Sequence, residues 1–114
     1  MTLNRELIAA STIPLVLASL CKGDCYGYAL IKEVQELSGN RISWSDGMLY
    51  PVLRRLENQG LISSYWQKAD TGRRRRYYRI EKQGRRELGR WRDQWDLVGN
   101  VLGRLWSEEE TCST

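Results

Sequence analysis

At 114 residues, 41% apolar and 28% charged, the chain suits one folded domain with a modest core; it is too short for two domains and too apolar for a disordered segment. A net charge of +4 favours a polyanionic partner, and the absence of histidine removes the commonest general base and transition-metal ligand, which argues against an enzyme. Cys21, Cys25 and Cys112 are odd in number and poorly spaced for a disulfide framework, so they read as free thiols of a cytoplasmic protein that uses neither metal nor cofactor.

The first element is the apolar stretch LIAASTIPLVLASLC, Leu7 to Cys21. It looks like a signal peptide, but Leu20 stands where a small residue should precede the cysteine, Glu6 offsets Arg5, and the run is short for a membrane span. A buried helix is expected instead, broken near Thr12-Ile13-Pro14 because proline is best tolerated in a first turn. Lys22-Gly23-Asp24 then interrupts the chain, with Asp24 as the expected cap of a second helix over Tyr26 to Ser38. Leu30, Ile31, Val34 and Leu37 make its apolar stripe, and Gly39-Asn40 end it.

A link from Arg41 to Trp44 leads into SDGMLYPVLRRLE, Ser45 to Glu57. Leu49, Leu53 and Leu56 recur at i, i+4 and i+7, the spacing of one buried helical face; Ser45 or Asp46 can cap the start and Gly60 marks the stop. Pro51 falls inside this helix and removes a backbone donor there. Leu61 to Ile80 is rich in aromatic and β-branched residues on both sides of Ala69 to Gly72, the pattern of a two-stranded hairpin. Its tip is followed by the run Arg73-Arg74-Arg75-Arg76. Alternate strand residues face opposite ways, so Arg73, Arg74 and Arg75, nearest the tip, are the candidates for phosphate contact, while Arg76 and Arg79 are expected to pair with acidic neighbours and Trp66, Tyr77 and Tyr78 to pack within the hairpin.

The last helix is expected from about Lys82 to Trp106. Leu88, Trp91, Trp95, Val98, Leu102 and Leu105 follow the alternating three- and four-residue steps of a heptad seam, a stripe too long for one small domain to cover, which predicts a homodimer. The expected division is therefore 1–80 for the DNA-binding domain, whose first helix also packs in the dimer, 81–107 for the dimerisation helix and 108–114 for a flexible acidic tail. Three helices and then a hairpin is the order of a winged helix-turn-helix, an α+β fold that is mainly α, with the helix before the hairpin entering the major groove. Ser45, Met48, Tyr50 and Arg54 occupy the face of that helix opposite its core leucines, where an arginine can read guanine or hold a phosphate. A two-fold dimer of this kind fits a double-stranded DNA operator with two-fold symmetry, its half-sites about 34 Å apart. An architectural or adaptor winged-helix protein with nonspecific DNA binding is the alternative.

YGYALIKEV (Tyr26 to Val34), GMLYPVLRRLENQGLI (Gly47 to Ile62) and GRRRRYYRI (Gly72 to Ile80), in that order and spacing, resemble the PadR family of bacterial transcription regulators over roughly Leu15 to Trp95. The length and single C-terminal helix are similar to its small subfamily, that of the lactococcal multidrug-binding regulator. The resemblance implies that Tyr50 and Pro51 lie on the DNA-facing surface, with Tyr26 and Lys32 of the second helix near phosphates. It also implies a dimer-centre site for a flat aromatic or hydrophobic effector that releases a repressor from DNA, built from Pro14, Leu17, Ala18, Trp91, Trp95, Val98 and Gly99. Trp91, Arg92 and Gly99 depart from the relative at that site, where its acidic group is lost.

Overall fold

The computed structural model describes residues 2–112. Asn4 caps helix α1 (Arg5–Lys22), its side chain accepting from the Glu6 and Leu7 amides. The helix runs unbroken through Pro14, contrary to the break expected near Thr12-Ile13-Pro14. Proline forfeits one helical hydrogen bond; in the preceding turn the Ser11 and Thr12 hydroxyls both donate to the Ile8 carbonyl, at 3.0 and 2.8 Å. Val16, Leu17 and Leu20 on the far side of the turn are buried, so tertiary packing holds the helix across the interruption.

Strand β1 (Cys25–Tyr26) leads straight into α2 (Gly27–Leu37). Tyr26, not Asp24, occupies the N-cap and gives no side-chain cap bond; Asp24 instead accepts from the Tyr65 hydroxyl at 2.7 Å and from Arg79 Nε at 3.2 Å. Leu30 and Val34 are buried, whereas Leu37, expected on the same stripe, is 74% exposed. Gly39 and Asn40 both take positive φ, 62° and 66°, which reverses the chain sharply after α2. Trp44, in what the sequence suggests is only a link, is a buried member of the core.

Helix α3 (Asp46–Asn58) is capped by the Ser45 hydroxyl, which accepts from the Met48 amide at 3.2 Å, and it buries Leu49, Leu53 and Leu56 completely. Pro51 and Gly47, the residue whose carbonyl loses its partner four places on, both lie on the exposed side, where water can serve that carbonyl. Strands β2 (Ile62–Lys68) and β3 (Arg74–Ile80) form the hairpin, with Ile62 opposite Ile80 and Lys68 opposite Arg74. The turn closes through Ala69 N–H to the Arg73 carbonyl, with Gly72 at φ 85°. β1 pairs with β3, giving an antiparallel sheet ordered β1-β3-β2.

Helix α4 (Lys82–Cys112) begins hard against the hairpin's root. Gly84 is buried there, where any Cβ would collide with the Leu61 carbonyl and stand 2.8 Å from Ile80 Cγ1. The Glu81 carboxylate does not cap this helix but accepts from the Ser63 hydroxyl. Residues 108–112, expected in a flexible tail, continue α4; 113–114 lie outside the described residues. The first turns of α4 pack on α1, and from Arg92 to Glu108 every residue is exposed, so the molecule extends to 63 × 30 × 21 Å. The arrangement is a winged helix with an added C-terminal helix. No described helix is long and apolar enough to cross a membrane.

Candidate nucleic-acid interface

The amino-terminal ends of α2 and α3 and the hairpin enclose an open groove that reaches residues of both faces of the wing. Tyr26, Tyr28, Tyr50, Trp66 and Tyr78 line it together with Arg73, Arg74, Arg75 and Arg76. Of the residues expected at DNA, the fold thus brings together Tyr26, Tyr50, Arg73, Arg74 and Arg75. Pro51 and Arg54 are exposed on the same outer side of α3 as Tyr50, one and four positions further along. Ser45 is exposed with its hydroxyl engaged in the cap, and Met48 is half-buried against the core, so its side chain is only partly available. Lys32 stands outside the groove, its ammonium 5.7 Å from the Tyr28 ring centroid.

The arginines are held at different positions by the strand pleat. Arg74 lies over Trp66, 5.3 Å from its ring centroid, and Arg75 over Tyr26 at 4.4 Å, cation–π contacts that keep extended side chains beside the groove. Arg76 pairs with Glu57 at 3.0 Å and Arg79 with Asp24 at 3.2 Å, the acidic partnering expected of both. Tyr65, Tyr77 and Tyr26 form a continuous row on the outer face of the sheet, stacked at 5.8 Å and edge-to-face at 5.4 Å. Burial holds the Tyr78 phenol above its usual ionisation range, with nearby Arg76 acting the other way. The hydrogen bond to Asp24 raises the Tyr65 phenol.

A second, more apolar groove of about 640 Å³ runs between α1 and α4. Pro14, Ala18, Trp91 and Trp95 line it, as expected, with Cys21, Leu88, Arg85 and Arg92 among their neighbours. Leu17 does not: it is fully buried in the core, because it lies one position from Ala18 and so faces about 100° away around the helix. Val98 and Gly99 lie beyond the groove on the exposed part of α4. Of the heptad positions, Leu88 is half-buried against the core and Trp91 half-buried, while Trp95, Val98, Leu102 and Leu105 stand exposed. Leu97, Val101 and Trp106 are exposed as well, which makes the apolar face of α4 wider than the seam.

Sequence reading missed Trp66 and Tyr28 as parts of the basic groove. Trp66 sits opposite Arg76 in the hairpin register and on the same side of the sheet; alternation counted from Ile62, buried on that side, would have placed it there. Tyr28 follows the unforeseen strand β1 and carried no such signal.

Known structures share this architecture. A transcriptional regulator from Clostridium thermocellum superposes with a TM-score of 0.82 at 28% identity, over 90% of this chain and 97% of its own. A PadR family transcriptional regulator from Eggerthella lenta gives 0.77 at 36% identity, over 88% and 85%. A PadR family transcription regulator from Clostridium difficile gives 0.74 at 30%, over 83% and 97%. The model of the transcriptional regulator PadR-like family matches residues 16–90, which take in α2, α3, the wing and the root of α4. With a basic winged-helix groove and more than half its length matched by that model, the chain belongs to the PadR-like family of DNA-binding transcriptional regulators.

Proposed function

We propose that the protein is a homodimeric repressor that reads a two-fold operator and is released when a flat apolar or aromatic molecule enters the α1/α4 groove. The observation that carries the reading is the exposed apolar face of α4: Trp95, Val98, Leu102 and Leu105 are 47%, 57%, 38% and 53% exposed along one seam. A second copy joined along that seam hides the stripe and presents two basic grooves, as a two-fold DNA site requires. Tyr50, Pro51 and Arg54 of α3 then reach base edges and phosphates, while Tyr26 and Arg73 to Arg75 hold the backbone. An effector seated against Trp91 and Trp95 acts by binding one relative orientation of the two copies better than the other, so operator and effector weaken each other's binding.

The test is retention of fragmented host DNA on the purified protein at moderate salt, followed by sequencing. Enrichment of fragments sharing a two-fold site supports specific regulation, and addition of aromatic compounds then identifies those that release the fragments. Uniform retention overturns the operator reading in favour of a nonspecific architectural role.

A further inference from the structure

The tip arginines enter the basic groove on unequal terms. Among the described residues no carboxylate pairs with Arg73, Arg74 or Arg75. Arg76 lines the same groove beside Tyr50 and Trp66, yet it is tied into a closed ring of three side chains. Its Nη2 meets Glu57 Oε1 at 3.0 Å, its Nε donates to Ser64 Oγ at 3.0 Å, and the Ser64 hydroxyl in turn donates to Glu57 Oε2. The ring joins the last turn of α3 to both strands of the wing, so it fixes the wing relative to the recognition helix while neutralising one groove cation.

We propose that Glu57 sets the nonspecific DNA affinity of the groove: it withholds Arg76 from the DNA backbone and so keeps affinity for arbitrary sequence low. This rests on the assignment of the groove to DNA. The physical argument is one of charge. A phosphate contact strengthens binding to every sequence alike, whereas base readout by α3 strengthens only the matched one. One more free arginine at the groove therefore raises affinity for arbitrary sequence without adding any discrimination between sequences. Glu57, anchored on α3 rather than on the wing, removes that cation and uses it to set the wing's angle.

The experiment measures binding of a random-sequence duplex by fluorescence anisotropy across a salt series, in wild type, Glu57→Gln, Arg76→Gln, the double variant and Arg74→Gln. Glutamine keeps an acceptor oxygen and nearly the same volume as glutamate, so Glu57→Gln removes chiefly charge. That variant is expected to steepen the dependence of log affinity on log salt by about 0.9, which makes its advantage over wild type roughly 3.5-fold larger at about 50 mM than at about 200 mM salt. In the Arg76→Gln background the same change is expected to have no effect. Arg76→Gln alone, which releases the wing from α3 without removing a phosphate contact, is expected to flatten the slope by clearly less than Arg74→Gln, which flattens it by about 0.9. An unchanged slope in Glu57→Gln overturns the proposal. So does a steepening that persists without Arg76, which would be a bulk charge effect, and so does a flattening by Arg76→Gln equal to that by Arg74→Gln. This last comparison decides the matter even if Glu57→Gln fails to fold. Failure of wild type to bind any duplex at low salt is distinct from all of these and overturns the groove assignment itself, and the proposal with it.

Discussion

The phenol of Tyr50 rests on Gly27: a Cβ added at position 27 would stand 2.5 Å from the Tyr50 hydroxyl oxygen and 2.7 Å from its Cζ. The first residue of α2 thus serves as the seat for a tyrosine on the exposed face of α3. Tyr50 can swing its far end outward, so Gly27→Ala should cost little stability, and the better helix propensity of alanine offsets part of the strain. DNA affinity should nevertheless fall by about 1–3 kcal/mol, the usual worth of one well-placed contact. Anisotropy with operator DNA and a thermal melt of the same variant check the two halves; a melting point that collapses along with affinity would show that the tyrosine's seat is structural only.

Adjacent residues of α1 should behave oppositely. Leu17→Ala empties a fully buried site and is expected to cost about 2–5 kcal/mol in denaturant unfolding. Ala18→Leu projects into the α1/α4 groove from an exposed position, so stability should stay near that of wild type. Quenching of tryptophan fluorescence by a neutral tricyclic aromatic dye should be lost in Ala18→Leu if the groove is the effector site.

Leu102→Glu places a charge in the middle of the exposed stripe on α4 without disturbing any core residue. Sedimentation equilibrium is expected to show the mass falling from twice 13.3 kDa to the single-chain value. Affinity for a two-fold operator should fall at least tenfold, roughly the loss of one half-site's contribution, while affinity for a single half-site is retained.

Alkaline pH should loosen the fold in a defined window. Burial raises the Cys25 thiol above its ordinary 9.0, with Glu33 adding to the effect, and burial raises the Tyr78 phenol above its ordinary 10.0. Both groups hold their protons more tightly folded than unfolded. Their contribution to stability is therefore whole below those ordinary values and is lost as pH rises through the higher folded ones. Melting temperatures between about pH 8 and about pH 11 should fall most steeply above 10, and the fall should be shallower in Tyr78→Phe.

Helices α2 and α3 and the hairpin were legible because each writes its burial in a short period: Leu49, Leu53 and Leu56 in one case, residues alternating about a glycine turn in the other. Other features depend on what lies across space. Cys25 and Tyr26 become a strand only because Tyr78 and Tyr77 present a free edge opposite them, and two residues carry no alternation of their own. Pro14 predicts a break from backbone chemistry alone, yet the packing of Val16, Leu17 and Leu20 outweighs it. Leu37 belongs to the stripe of α2 by spacing, but the helix outruns its neighbours there. In the basic groove the charges were legible, as were Tyr26 and Tyr50, but Trp66 and Tyr28 were not, since they are brought to the arginines by strand register and by β1.

The contact at Gly84 makes α4 a lever. No side chain cushions the helix backbone from the Leu61 carbonyl at that point, so the hairpin's root acts as a pivot. From Gly84 to Trp106 the helix is about 33 Å long at 1.5 Å per residue, and a tilt of about 5° carries the Trp106 end about 3 Å sideways. The same geometry works in reverse: a sideways force on the far apolar end of α4, multiplied by the length of the beam, becomes the torque felt at the place where the wing begins.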